Sequence, residues 1–138
     1  MAKWFGVALL GLVLVLCVVG GSGCDRVKTA EVVHVAAEGG LAVFKTTTDA
    51  LCMTGKLDEA KCLKLRICYD NALEIHNQAG ELLEEIKGLQ DASAQKTKLS
   101  AYFDLALKVR GMLEPGMDIM RTLGLDDKIG EIVDKFGK

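Results

Sequence analysis

The chain holds one proline in 138 residues, aromatics make up only 5%, and neither charge dominates, with 17 Lys+Arg against 19 Asp+Glu. Each shortage excludes something. A net charge of -2 supplies no basic field for nucleic acid and no acidic tail. No alternating apolar–polar run of useful length appears, so a sheet architecture has no signal. There is no Cys-x-x-Cys pair and no Cys-x-x-Cys-His haem attachment. The one glycine-rich stretch, Gly20-Gly21-Ser22-Gly23, precedes no strand–helix unit and is not a phosphate loop. Thr46-Thr47-Thr48 and Ser100 have no general base at a recognisable spacing. No enzyme signature remains, and the length suits one domain.

What the chain does have is apolar residues, half of the total, unevenly spread. Met1-Ala2-Lys3 is a short positive start, and Trp4 to Val19 is uncharged. Small residues at 20–23 then lead to Cys24. Basic region, apolar region and small-residue run stand in the order of a secretory signal. As a helix the apolar stretch would span roughly 24 Å at about 1.5 Å per residue, short of the ~30 Å hydrocarbon core of a bilayer.

Gly21-Ser22-Gly23-Cys24 resembles the lipobox of bacterial lipoproteins, with small residues in the two places before the cysteine and Gly21 where that family usually has Leu. The resemblance implies cleavage before Cys24 and acylation of its sulfur and new amino group, giving a mature chain of Cys24 to Lys138. It covers only the first 24 residues. Asp25 resembles the residue that marks inner-membrane retention in some bacteria. Two rivals stand beside lipidation: an uncut anchor, and cleavage by an ordinary signal peptidase that frees a soluble chain.

Beyond the leader the spacing is helical. Leu65, Cys68, Ala72, Ile75, Ala79, Leu82, Ile86 and Leu89 recur at steps of three and four, one face of a helix. This predicts a helix over about 58–89, capped by Asp58, with Leu57 stapled to Cys62. Val27, Ala30, His34, Ala37, Leu41, Phe44, Thr48 and Leu51 keep the same spacing in a helix over about 27–53. Gly39-Gly40 costs that helix about 1 kcal/mol per residue and threatens to bend or split it. Leu99, Tyr102, Ala106, Val109 and Leu113 mark a third helix over about 93–114, capped by Asp91 or Ser93. Pro115-Gly116 is expected to stop or kink it. Met117 to Leu123 should add a short turn of helix, and Asp126 or Asp127 should cap a final segment carrying Ile129, Ile132, Val133 and Phe136. Short connections make neighbours antiparallel. The expected fold is all-α, an up-down antiparallel bundle of three to four helices over 24–138 behind a signal or anchor at 1–23. A self-associating coiled coil, and so a homo-oligomer, is the rival.

The candidate chemistry is sparse. His34 lies on the apolar stripe with Glu31 three residues before it. A di-metal bundle site needs a second Glu-x-x-His pair, but Leu73 precedes His76 at that spacing. His76 reads as a surface residue, and Glu81, Glu84 and Glu85 as a solvated face. No catalytic residue, metal or cofactor is expected. Leu51 to Ala79 loosely resembles small helical lipoproteins of unknown role in bacterial and phage genomes. The expectation is a non-enzymatic cell-envelope lipoprotein facing the periplasm or exterior, held in the membrane by Cys24 and acting as a structural or protein-interaction module. Its partners would be the membrane and an envelope protein, not nucleic acid. A small-ligand or metal carrier around Glu31 and His34 is the alternative.

Export would place the remaining thiols in an oxidising compartment. Cys52 ends one predicted helix and Cys62 lies in the first turns of the next, so the hairpin brings them together. Cys68 faces inward about 9 Å further along and should stay reduced. We expect mass mapping to find a Cys52–Cys62 disulfide whose reduction costs on the order of 2–3 kcal/mol. A Cys52–Cys68 link would contradict the helix phase.

Overall fold

The computed structural model describes residues 24–136, and the expected signal segment, 1–23, lies outside them. The described residues form four helices and no strand: α1, Cys24–Met53; α2, Glu59–Lys87; α3, Ala92–Thr122; and α4, Asp126–Lys135. Among the described residues no helix is long and apolar enough to cross a membrane. The fold is the expected all-α bundle. Cys52 and Cys62 stand at disulfide distance at one end of the α1–α2 hairpin, with Cα atoms 5.8 Å apart. Toward the other end, Lys87 Nζ lies 3.0 Å from Glu31 Oε1, so the two helices run antiparallel. Lys98 pairs with Glu85 across α2 and α3, and Leu65 meets Gly116 far from that pair, which makes α3 antiparallel to α2. α2 lies between α1 and α3, and α4 packs on α1 and the end of α3.

The helix starts follow local chemistry. The Asp58 carboxylate accepts the Lys61 backbone N–H at 2.8 Å, and buried Leu57 shares a core cluster with Cys62. Asp91 caps α3 by accepting from Ala94 N at 3.2 Å. At α4 the expectation is corrected. Leu125 is the cap residue and makes no side-chain bond, while Asp126 and Asp127 sit in the first turn, where their charge opposes the helix dipole favourably.

The third helix departs most from expectation. It does not stop at Pro115 but runs on to Thr122. Proline in a helix interior costs ~3 kcal/mol through a lost hydrogen bond and a clash with the carbonyl four residues back. That carbonyl belongs to Gly111, and both Gly111 and Pro115 are exposed, so water can take the freed acceptor. Past the proline, Met117 and Met120 are wholly buried, each adding about 1.5–3 kcal/mol, enough to outweigh the penalty. The stop comes at Gly124, whose φ of 74° is the left-handed conformation glycine adopts without strain. Gly124 N–H donates to Arg121 O and Leu125 N–H to Met120 O, the pair of bonds that closes a helix C-terminus.

α1 is likewise unbroken at Gly39-Gly40. A Cβ on Gly40 would lie 2.5 Å from Phe136 Cε2, so this glycine lets α4 seat its aromatic ring directly on α1. Gly116 does the same at the centre of the molecule. Its Cβ would lie 2.5 Å from Phe44 Cζ and 3.1 Å from Leu65 Cδ2, and both neighbours are fully buried.

The apolar interior falls into two clusters. The larger joins Leu41, Phe44, Leu51, Leu65, Leu113, Met117 and Ile132 with their neighbours from all four helices. The smaller joins Ala30, Ala79, Leu83, Ile86, Leu99 and Tyr102 from the first three. On α2 the buried stripe is Cys62, Leu65, Cys68, Ala72, His76, Ala79, Leu83 and Ile86. Ile75, Leu82 and Leu89, expected inward from their spacing, are half-buried, the first two on the flank of α2 and Leu89 just past its end.

Two glycines in α3 should respond oppositely to alanine. Gly116→Ala forces a methyl into Phe44 and should lower stability by at least about 2 kcal/mol. Gly111→Ala, with nothing within 4 Å of its Cβ position, should raise it by up to about 1 kcal/mol. Urea denaturation of the two variants beside the parent measures both.

Candidate functional site

Between the two apolar clusters the α1–α2 seam turns polar. His34 and Glu38 are one turn apart on α1 and therefore project side by side. His76 reaches them from α2. The analysis of the sequence placed His76 on the surface, and this is corrected: the residue is only 4% exposed. Its position continues the stripe from Ala72 to Ala79, and because α2 packs on two helices, its buried face takes His76 and leaves Ile75 half-buried beside it.

The His34 and His76 rings stack at a centroid distance of 4.0 Å and an interplanar angle of 9°. Glu38 Oε1 lies 3.9 Å from His34 Nε2 and 3.5 Å from His76 Nε2. Burial, followed by the neighbouring His76, lowers the His34 pKa below its ordinary 6.5, although Glu38 pulls the other way. His34 is thus a neutral ring at neutral pH, and its approach to Glu38 is no ion pair there. Nδ1 of His34 and Nε2 of His76 are buried and accept or donate no hydrogen bond. An unsatisfied buried polar atom costs about 1–3 kcal/mol.

The surroundings hold these rings in place. Gly80 faces His34, and a Cβ there would come within 3.0 Å of Nε2. The Tyr102 hydroxyl donates to the Ala30 carbonyl at 3.0 Å, fastening α3 to α1 one turn before His34, and burial pushes that phenol up to about 12. An open cleft of about 330 Å³ runs along the seam, lined by Leu41, Ala42, Lys45, Tyr69 and Asn77 together with Glu38 and His76. The two imidazoles and the carboxylate each offer one ligand atom, all within 4.8 Å of one another, a donor set suited to zinc and its transition-metal neighbours.

The other candidate residues are placed as follows. Glu31 does not join His34; it pairs with Lys87, which also contacts Glu84 at 3.0 Å. Those two carboxylates, Glu31 foremost, raise the Lys87 pKa. Glu81, Glu84 and Glu85 are exposed, as expected. Cys68 is free and buried, and desolvation raises its pKa, which keeps the thiol protonated and unreactive. Cys24 is the first residue of α1.

Sequence reasoning missed Glu38 and the inward turn of His76, yet a signal for their meeting was present. In an antiparallel hairpin both helices rise equally per residue. Fourteen residues back from Cys52 is Glu38, and fourteen on from Cys62 is His76. Once the cysteines pair, the register sets these two opposite each other.

The chain matches no family model, no curated protein and no solved structure.

The lowered His34 pKa has a signed consequence. The unfolded chain takes up its proton near pH 6.5, before the folded chain does, so the contribution of neutral His34 is present above that value. It declines as pH falls through 6.5 toward the lower folded pKa. In a chelator, thermal melts from about pH 7.5 to about pH 5 should therefore lose more stability in the parent than in His34→Asn.

Proposed function

We propose that the chain is a non-enzymatic, lipid-tethered module of the cell envelope, held by acyl chains on Cys24 and working through contact with an envelope protein. The leader and the lipobox-like run support the tether. The observation that carries the contact role is an apolar group at the cysteine-linked end of the α1–α2 hairpin. Met53 is 87% exposed, Leu63 59% and Ile67 49%. Met53 and Leu63 adjoin Cys52 and Cys62, and Ile67 is one turn beyond Leu63 on α2. A 30-residue helix is about 45 Å long, so Cys24 and Met53 lie at opposite ends of the molecule. An acyl anchor at one end leaves the apolar group facing away from the bilayer, toward the periplasm or exterior. Isolated exposed apolar residues are ordinary; three gathered at one end of a helical hairpin support a docking role for that end. Self-association through this patch is the rival within the same reading.

Cells expressing the full chain should incorporate labelled palmitate, and Cys24→Ser should abolish the labelling. Captured from detergent-solubilised envelope, the parent should retain a heterologous partner that Leu63→Glu/Ile67→Glu loses. Absence of label with an intact Met1 would replace the acyl tether by an uncut anchor. Recovery of the chain's own copies alone would replace the partner by a homo-oligomer.

A further inference from the structure

We propose that His34, Glu38 and His76 form a binding site for one divalent transition-metal ion of the zinc class at the α1–α2 seam. Two ligands stand on successive turns of one helix and the third on its antiparallel neighbour. All three come from long, packed helices rather than loops, the arrangement that holds donor atoms most reproducibly.

The distances fit a site that closes slightly on binding. Metal–ligand bonds of about 2.0–2.1 Å in a tetrahedron separate the ligand atoms by about 3.3 Å. The carboxylate oxygen lies 3.5 Å from one ring nitrogen and 3.9 Å from the other. All three ligand atoms lie within 4.8 Å of one another; Glu38, whose side chain is 61% exposed, is free to close its own gaps, and the separation of the rings closes by their turning. The stacked rings hold their lone pairs in nearly parallel planes 9° apart, so capture of one ion by both requires one ring to turn about χ2, a broad and inexpensive torsion for histidine. Gly80 leaves space beside the His34 ring where any larger residue would intrude.

A second observation points to a ligand independently of the clustering. The His76 side chain is only 5% exposed, and its Nε2 has no hydrogen-bond partner. Stacking on His34 covers the face of the ring but leaves that nitrogen bare, and Glu38, at 3.5 Å, makes no hydrogen bond to it. A metal ion would accept the lone pair and draw in Glu38 at once. Two imidazoles and one carboxylate select zinc, cobalt, nickel or copper over magnesium and calcium, which prefer oxygen alone. Three protein ligands leave one position, and the cleft past Leu41 and Tyr69 gives water access to it. Such a site exchanges its ion, unlike the closed four-ligand sites that serve only structure.

The test uses untagged full chain in detergent, stripped with EDTA and titrated with zinc by calorimetry and with cobalt by visible absorption. One equivalent should bind. Glu38→Gln, a change at an exposed position that leaves the core intact, and His34→Asn should each weaken binding by about tenfold or more. Gly80→Ala, which removes no donor, should weaken it by crowding the His34 ring. Imidazole nitrogen resonances of His34 and His76 should both shift on saturation. Failure to bind zinc, unchanged affinity in Glu38→Gln and His34→Asn with unaltered circular dichroism, or loss of binding only in Cys68→Ser would each overturn the site.

Discussion

The bundle depends on the absence of one side chain, at Gly116. There α1 presents Phe44, α2 presents Leu65, and α3 presents nothing but backbone, so three helices converge at a spacing that a methyl group would forbid. The same junction explains why α3 continues past Pro115. A helix ending at 114 would leave Phe44 without its floor, and would expose Met117 and Met120. Backbone propensity favours a stop, and packing overrides it because two buried methionines outweigh one lost hydrogen bond.

On either side of this junction the molecule has different character. The larger cluster draws on all four helices and lies behind the cysteine link, whereas the smaller draws on three and is closed by the Tyr102 hydroxyl on Ala30. The histidine pair occupies the gap between them. Apolar residues there would have fused the two clusters into one core, at a gain in stability. The seam instead keeps a buried His76 whose Nε2 is unsatisfied, a local cost that makes structural sense when something binds to it. The site lies where α1 and α2 are held close on both sides, with Cys52 and Cys62 at disulfide distance toward one end and Glu31 paired with Lys87 toward the other.

Much of the architecture was legible because three-four spacing is a direct consequence of helix geometry. The extents of α1 and α2, the cap at Asp58, the nearness of Cys52 to Cys62 and the buried Cys68 all follow from local rules, and Asp91 is one of the two caps that the spacing offered for α3. What was not legible came from tertiary competition. Ile75 is more apolar than His76, so a pattern ranked by hydrophobicity turns the wrong one inward when a helix has neighbours on two sides. Pro115-Gly116 carries the strongest local stop signal in α3, but the Leu-Gly-Leu at 123–125 is the one that packing permits to act. The site itself was half visible: His34 was singled out, but with Glu31, whose carboxylate is claimed by Lys87 of another helix. Only the hairpin register, not the motif, identifies Glu38 and His76 as its companions.

The division of the interior also sets how the molecule yields under stress. Opening the smaller cluster frees the N-terminal part of α1, the C-terminal part of α2 and the start of α3, with little disturbance beyond the histidines. Opening the larger one requires separating all four helices. Backbone amides around Ala30, Ile86 and Leu99 should therefore exchange with solvent deuterium through partial openings, ahead of those in the larger cluster. Those around Phe44, Leu65 and Met117 should wait until the whole chain lets go.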